Sequence, residues 1–360
     1  MKLGTALGVP MEVFKHEAGN RLVLGTCRVG VEVEFEGVKD GEQLPKEDWV
    51  SYWEGKLDRS LHDHGWEYVF SRPMFGEDVV AAVTALCAHA KKKKYKTSIR
   101  TGLHVHVDVR DMTQIELARM VVLYSLFEKA VYRFVGNNRE ENVFCMPWHV
   151  ADQVAFHANN IISEGNDIRR AAEALENEKY GGLNLDSLAR FGSVEFRHAL
   201  TTTDADWILK WINLCLSFRR AAQKLDASPL ELIHNLSAVG VDEFSRIVFE
   251  DQFESIWYPQ LEHDVWAVGV ETALNVLPQK QKAIDRASLS WFLEGSKEPK
   301  KNNKKINPSF LAFIEANGGK KDEGSPIQPV AEPDQPEPIL ELYRFDFPPE
   351  VGVIVDDIVE

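Results

Sequence analysis

Residues 28–36 read RVGVEVEFE, in which valines and a phenylalanine at the odd positions alternate with glycine and glutamates at the even ones. A repeat of two residues is the period of a β-strand that buries one face. The segment therefore predicts a strand, and Glu32, Glu34 and Glu36 would lie together on the face opposite the valines.

Two further segments show the same alternation. Residues 102–109, GLHVHVDV, predict a strand, and residues 182–198 predict a hairpin whose second arm alternates in the same way. The ionisable residues opposite the apolar faces of these strands are His104, His106, Asp108, Glu195 and Arg197. Each strand alone is also typical of a solvated sheet surface. Only the three together favour a functional site.

The residue types on these faces indicate a metal and phosphate site. Clustered carboxylates repel one another and raise each other's pKa unless a cation joins them. Carboxylate oxygens with an imidazole suit a hard divalent cation such as Mg²⁺ or Mn²⁺. The guanidinium of Arg197 would offer a fixed fork of donors to a phosphate or a carboxylate. We therefore predict a site for a metal and a nucleotide on one face of an antiparallel sheet.

The rest of the chain predicts a mixture of helices, strands and long connections. Capping boxes at Thr113–Glu116 and Ser228–Glu231 mark two helix starts, the second with proline at the first helical position. The predicted helices cover residues 77–94, 113–135, 166–179, 204–225, short stretches up to 295, and 308–316. The predicted strands also include 66–72 and a terminal segment at 340–355. Residues 37–64 predict a long loop, and 137–160 a looser segment.

Composition excludes several classes of protein. The chain has 360 residues, of which 44% are hydrophobic and 27% charged, as expected for a soluble globular protein. Its longest stretch without a charge, residues 79–90, is far shorter than the ~20 residues of a membrane-spanning helix. The start of the chain lacks the long apolar run of a secretory signal. Four separated cysteines with no CxxC pair predict reduced thiols and a cytoplasmic protein.

The net charge of −15 is concentrated near the end of the chain. Residues 322–360 contain 11 acidic residues and one arginine, which predicts a solvated, flexible acidic tail. The near-neutral body argues against a nucleic-acid partner, although basic runs occur at residues 91–96 and 297–305. The first run is typical of a solvated helix end.

An ordered set of motifs resembles the amidoligases of the glutamine synthetase-like and gamma-glutamylcysteine synthetase-like carboxylate–amine ligase superfamily. The resemblance covers about residues 25–225. The motifs are GVEVE (30–34), GWE (65–67) with Ser71 and Pro73, GLHVHV (102–107), Asn138-Arg139 with Asn142 and Cys145, Lys179-Tyr180 with LNL (183–185), GSVEFR (192–197), and a helix with Trp207 and Trp211.

The resemblance implies an α+β fold in which a curved antiparallel sheet forms a half-barrel flanked by helices. ATP and two or three divalent cations, Mg²⁺ or Mn²⁺, would lie on its concave face. By resemblance, the metal ligands are Glu32, Glu34, Glu195 and His104. His106 would share the contacts of His104 with phosphate, and Arg197 would face the transferred phosphate. Glu67 would be a carboxylate near the acceptor or the metal, and Asn184 and Arg139 would lie on the substrate or nucleotide side.

The resemblance implies an ATP-dependent ligase that joins a small-molecule or peptide carboxylate to an amine through an acyl phosphate. A metal-dependent hydrolase or phosphotransferase, or a non-catalytic ATP-binding module, remain alternatives, and an oligomer is compatible with each. The sequence departs from the family pattern after Glu67, where the spacing to Pro73 is long, and after Arg197, where HALTTT replaces a Gly-Thr turn. We expect an N-terminal segment (1–24), a catalytic domain (25–225), a helical extension (226–295), and a linker with the acidic tail (296–360).

Overall fold

A six-stranded, open antiparallel sheet organises the fold. In space its strands follow the order β2-β3-β1-β4-β6-β5, so the first strand of the chain lies inside the sheet. The strands are β1 (Val29–Phe35), β2 (Trp53–Leu57), β3 (Trp66–Phe70), β4 (Gly102–Asp108), β5 (Leu183–Asn184) and β6 (Ser193–Leu200). The computed structural model describes residues 1–9, 27–39, 52–136, 139–150, 152–163, 167–174 and 180–277.

Helices make up most of the remaining described chain, so the protein is α+β as the sequence predicted. Besides short 3₁₀ turns and a π-helical segment at Val265–Gly269, the described residues contain α1 (Leu3–Leu7), α2 (Glu77–Lys93), α3 (Gln114–Val135), α4 (Asp152–Ile162), α5 (Ile168–Glu173), α6 (Ser187–Phe191), α7 (Ala205–Lys224), α8 (Pro229–Val239), α9 (Val241–Phe249), α10 (Phe253–Ile256), α11 (Leu261–Asp264) and α12 (Val270–Val276).

The apolar face of the sheet packs against α3 and α7. The valines of β1 and Phe35 are fully buried. On β6, Phe196 lies in aromatic contact with Tyr124 of α3 and with Trp211 and Phe218 of α7. Burial of such large rings dominates the energetics of a core, since each removes 150–250 Å² from water. This packing leaves the opposite face of the sheet available for the charged side chains.

Helix boundaries follow the capping residues that the sequence predicted. The Thr113 side chain accepts a hydrogen bond from the backbone N–H of Glu116, and the Glu116 carboxylate accepts one from the backbone N–H of Thr113. Ser228 and Glu231 form the same reciprocal pair at the start of α8, where Pro229 is the first helical residue. Reciprocal caps satisfy backbone donors that have no partner inside a helix.

Several sequence-based predictions were wrong in detail. Strand β2 lies inside the predicted loop 37–64, and α4 lies mostly inside the looser segment 137–160. The arms of the predicted hairpin 182–198 do pair, but α6 connects them instead of a tight turn.

These differences have physical reasons. Strand β2 is an edge strand whose side chains are exposed except for Trp53, so its sequence lacks an alternating pattern. It also contains Gly55, where a Cβ would lie 2.4 Å from Nε1 of Trp66.

The described part of the predicted helix 166–179 ends at Glu173. The predictions for 308–316, 322–360 and 340–355 fall outside the described residues.

All four cysteines are buried free thiols, in agreement with the predicted reduced state. Burial raises the pKa of Cys27 and Cys87 to about 12, which leaves both as inert thiols. Among the helices described, none has the length and apolar composition needed to cross a bilayer.

The core beneath β6 contains one buried imidazole, that of His198. Its Nε2 lies 2.9 Å from the Tyr124 hydroxyl, and that hydroxyl donates at 2.8 Å to Oε1 of Glu128. The hydroxyl therefore accepts from His198, which is neutral with its proton on Nε2. Its Nδ1 has no hydrogen-bond partner among the described residues. Burial, and then the charge of Arg139, hold the pKa of His198 well below its usual value.

We predict that His198 makes the protein less stable in mild acid. The unfolded chain binds a proton near pH 6.5 and the folded chain does not, so the free energy of unfolding falls as pH decreases below about 6.5. The slope contributed by this one residue is up to about 1.4 kcal/mol per pH unit. Denaturant unfolding at several pH values should show a shallower pH dependence for His198→Gln than for the wild type. Parallel pH profiles would contradict the prediction.

Candidate active site

Glu32 lies at the centre of the charged face. Strand register places it opposite His104, and its two oxygens bind two different imidazoles. Oε2 lies 3.2 Å from Nδ1 of His104, and Oε1 lies 3.2 Å from Nε2 of His106. The two histidines share one face of β4 because they are two residues apart on a strand. One carboxylate thus joins both histidines that the sequence singled out.

The neighbouring strand β6 adds a second carboxylate and an arginine. Oε1 of Glu195 lies 3.4 Å from Nδ1 of His104 and accepts a hydrogen bond from Nη1 of Arg197. Its Oε2 accepts one at 2.6 Å from Nδ2 of Asn184, which lies opposite Glu195 on β5. The structure therefore brings Glu32, His104, His106, Glu195 and Arg197 together, with Asn184 orienting Glu195.

The position of Arg197 depends on an irregularity in the sheet. Leu103 pairs with Ala199 but Val105 pairs with Phe196, so β6 has one residue more than β4 across this interval. Such a bulge re-aims side chains and is common next to active sites. Here Arg197 contacts the charged cluster while the adjacent His198 is buried in the core.

Arg139 binds the backbone of this bulge through two hydrogen bonds. Its Nε donates to the carbonyl oxygen of His198 at 2.6 Å, and its Nη2 donates to that of Arg197 at 3.1 Å. The sequence predicted a substrate- or nucleotide-side position for Arg139. In the structure it is buried, and these hydrogen bonds go to the backbone of the strand that carries Arg197.

Glu34 and Glu67 lie on the β3 side of the cluster, directly opposite one another. Oε2 of Glu34 accepts a hydrogen bond from the backbone N–H of Gly102 at 2.6 Å. A Cβ at residue 102 would lie 2.5 Å from Nε2 of His104 and 3.3 Å from that same Glu34 oxygen, so the close approach requires glycine. Oε2 of Glu67 lies 2.6 Å from Nζ of Lys56 on β2.

Sequence reasoning missed Lys56 because it lies in the predicted loop. The WEGKL segment, exposed after Trp53, carries no period of two, and an isolated lysine has no partner that can be recognised from sequence. Its contact with Glu67 follows from strand pairing, since the two residues are opposite each other across β2 and β3.

The charged face is mostly withdrawn from solvent, which differs from the solvated face expected for a half-buried sheet. The side chains of His104 and Glu195 are only 7% and 6% exposed, and that of Glu32 is 25% exposed. Burial makes each uncompensated charge costly. The groups of the cluster must therefore compensate one another or share a cation.

The pKa values show this compensation. Burial acts to raise the pKa of Glu32, but its hydrogen bonds with His104 and His106 hold the value well below the usual range. Burial acts to lower the pKa of His106, but Glu32 and Glu195 raise it above its usual value. The pKa of Glu67 is raised to about 6, because the effects of burial and of the charge of Glu32 outweigh the opposite effect of Lys56.

Two overlapping groups in this cluster could hold divalent cations. The first is Glu32, His106 and Glu195, and the second is Glu32, Glu67 and His104. Within each group the ligand atoms lie within 4.8 Å of one another. Carboxylate oxygens with one imidazole fit Mg²⁺ or Mn²⁺, and two cations would also relieve the repulsion among the buried carboxylates. Glu34, predicted as a ligand, is in neither group.

Other acidic residues of the predicted faces are used elsewhere. Glu36 accepts a hydrogen bond at 3.1 Å from the backbone N–H of His62. Asp108 binds the guanidinium of Arg110 at 2.7 and 3.0 Å. An alternating pattern therefore identified the correct face of each strand but not which end of it belongs to the cluster.

The chain matches one family model, which is described as a putative amidoligase enzyme, over residues 48–219. The match supports an amidoligase family for this chain. It includes Glu67, His104, His106, Glu195 and Arg197, but it begins after β1 and so does not contain Glu32. No curated protein matches the chain.

We predict that Glu32→Gln weakens cation binding in both groups, because Glu32 is the only residue common to them. Loss of groups that merely orient metal ligands costs 10- to 100-fold in affinity, so the loss here should be about 100-fold or more. Glu36→Gln is the matched control, since Glu36 lies on the same face of the same segment but outside both groups. Titration with Mn²⁺, followed by electron paramagnetic resonance of the free ion, measures the affinity of both variants. If Glu32→Gln bound Mn²⁺ as tightly as the wild type does, the assignment would be wrong.

Proposed function

We propose that this protein is an ATP-dependent carboxylate–amine ligase with a glutamine synthetase-like catalytic fold. The observation that carries the proposal is the shared carboxylate of Glu32, which links His104 and His106 beside Glu195 and Arg197 on one antiparallel sheet. The match to an amidoligase family model supports an amide-forming ligase. It does not favour a hydrolase, a phosphotransferase or a non-catalytic module.

The residues of the cluster fit the needs of ATP-dependent chemistry. The two cation groups would hold Mg²⁺ or Mn²⁺, which would neutralise the charge of a polyphosphate when bound. Arg197 offers guanidinium donors next to these groups, and its side chain is 16% exposed, so part of it remains accessible. Glu195 fixes Arg197 from one side, and Asn184 in turn fixes Glu195.

The proposed reaction has two steps. A carboxylate oxygen of one substrate attacks the γ-phosphorus of ATP, the bond to the β-phosphate oxygen breaks, and ADP leaves. The amine of the second substrate then attacks the acyl carbon of the acyl phosphate, loses a proton, and displaces inorganic phosphate to form the amide. No protein side chain needs to form a covalent bond in either step. Catalysis would come from positioning and from charge stabilisation at the transferred phosphoryl group.

The substrates we propose are a small-molecule or peptide carboxylate and an amine. The cytoplasm supplies ATP, Mg²⁺ and both classes of substrate, and the four free cysteines suit that compartment. The body of the chain carries no net positive charge, which disfavours a nucleic-acid acceptor.

We predict amine-dependent release of ADP when the protein is incubated with ATP, Mg²⁺ and pools of amino acids and amines. Mass spectrometry should find a product lighter by one water than the sum of its two substrates. Glu195→Gln should lower the rate by about 100- to 1,000-fold, comparable with the loss of one preorganised transition-state contact. Glu77→Gln, a change in the exposed first turn of α2, should not alter it.

The same assay separates the alternatives. Release of ADP that does not depend on an amine would indicate a hydrolase or a phosphotransferase. Binding of ATP without turnover in any pool, with Glu195→Gln indistinguishable from the wild type, would contradict the ligase.

A further inference from the structure

Lys56 occupies an unusual position between solvent and the buried cluster. Its Nζ lies 2.6 Å from Oε2 of Glu67, yet its side chain is 64% exposed while that of Glu67 is 10% exposed. An ammonium on a flexible stem therefore reaches the edge of the cluster from outside. Because β2 is at the edge of the sheet, Lys56 can withdraw into solvent without disturbing a strand beyond it.

The partner of Lys56 belongs to only one of the two cation groups. Glu67 is a member of the group with Glu32 and His104, and it is absent from the group with His106 and Glu195. A divalent cation in the group of Glu32, Glu67 and His104 would lie close to the carboxylate that the ammonium of Lys56 binds. Two cations on one carboxylate repel each other, and the burial of Glu67 limits how well solvent screens them.

Glu67 also needs a positive charge when no divalent cation is bound. It lies directly opposite Glu34, and Glu32 contributes a further negative charge to its surroundings. Removing a carboxylate from water without a partner is costly. The ammonium of Lys56 supplies that partner.

We propose that Lys56 is a displaceable counter-cation that makes the two groups fill in order. It neutralises Glu67 until a divalent cation enters the group of Glu32, Glu67 and His104, and it then moves out into solvent. This group is therefore the weaker site and fills after the group of Glu32, His106 and Glu195. The proposal rests on the metal-dependent function proposed above and concerns its regulation.

Titration with Mn²⁺ in the absence of nucleotide tests this order directly. The wild type should bind two ions with different affinities. In Lys56→Met, the weaker site should tighten about three- to tenfold, the range expected for removing one partly screened charge, while the tighter site changes less. Lys56→Arg keeps the charge and should resemble the wild type.

Lys96 provides a matched control. Its Nζ also lies 2.6 Å from a carboxylate, Oδ2 of Asp63, and both side chains are well exposed. Asp63 is in neither cation group, so Lys96→Met should leave both Mn²⁺ affinities unchanged.

A second measurement distinguishes a counter-cation from a residue that only supports the fold. In EDTA, Lys56→Met should have a lower melting temperature than the wild type, because Glu67 loses its partner. Saturating Mn²⁺ should raise the melting temperature of Lys56→Met more than that of the wild type. If Lys56 had a purely structural role, Lys56→Met would lower the melting temperature by the same amount in EDTA and in saturating Mn²⁺.

Two outcomes of the Mn²⁺ titration would also overturn the proposal. In the first, Lys56→Met binds the second Mn²⁺ no more tightly than the wild type. In the second, the wild type binds fewer than two ions, so that no second site exists for Lys56 to control. Neither result decides whether the protein forms amides, since the assay of ADP and product mass answers that question separately.

Discussion

The arrangement of the charged face depends on one constraint, the compensation of the largely buried carboxylate of Glu32. A carboxylate in that position needs positive partners, and here each of its oxygens meets a different imidazole. Two histidines can reach it only if they share one face of the adjacent strand. Glu195 can join them only if a third strand pairs on the far side of β4. The position of β1 within the sheet, the spacing of His104 and His106, and the pairing of β4 with β6 therefore all serve the same contact.

Alternation of apolar and charged residues was enough to predict β1, β4 and β6 and the face on which their charged side chains lie. It could not give the order of the strands in the sheet, which places β3 beside β1 and so brings Glu67 close to Glu32. Edge strand β2 escaped prediction because exposure removes the pattern that reveals a strand, and Lys56 was missed with it. The contacts of Arg139 were out of reach for a different reason. It binds backbone atoms of a bulge, and a bulge changes the pairing of a strand without changing its composition.

The two faces of β6 connect the charged cluster to the apolar core. Arg197 contacts Glu195 on one face, and the next residue, His198, is held in the core by the hydroxyl of Tyr124. Arg139 binds the carbonyl groups of both residues. The side chain proposed to bind a phosphoryl group is thus held by contacts of its own strand with Glu195 and Arg139, as preorganised catalysis requires.

The position of β1 has a consequence for the boundaries of the protein. The family match starts after this strand, yet β1 pairs with β3 on one side and with β4 on the other. A fragment cut to residues 48–219 would therefore lose the middle of its sheet and leave two strands with unpaired backbone edges, which invite aggregation. The range that the family model matches is thus shorter than the sheet to which it belongs.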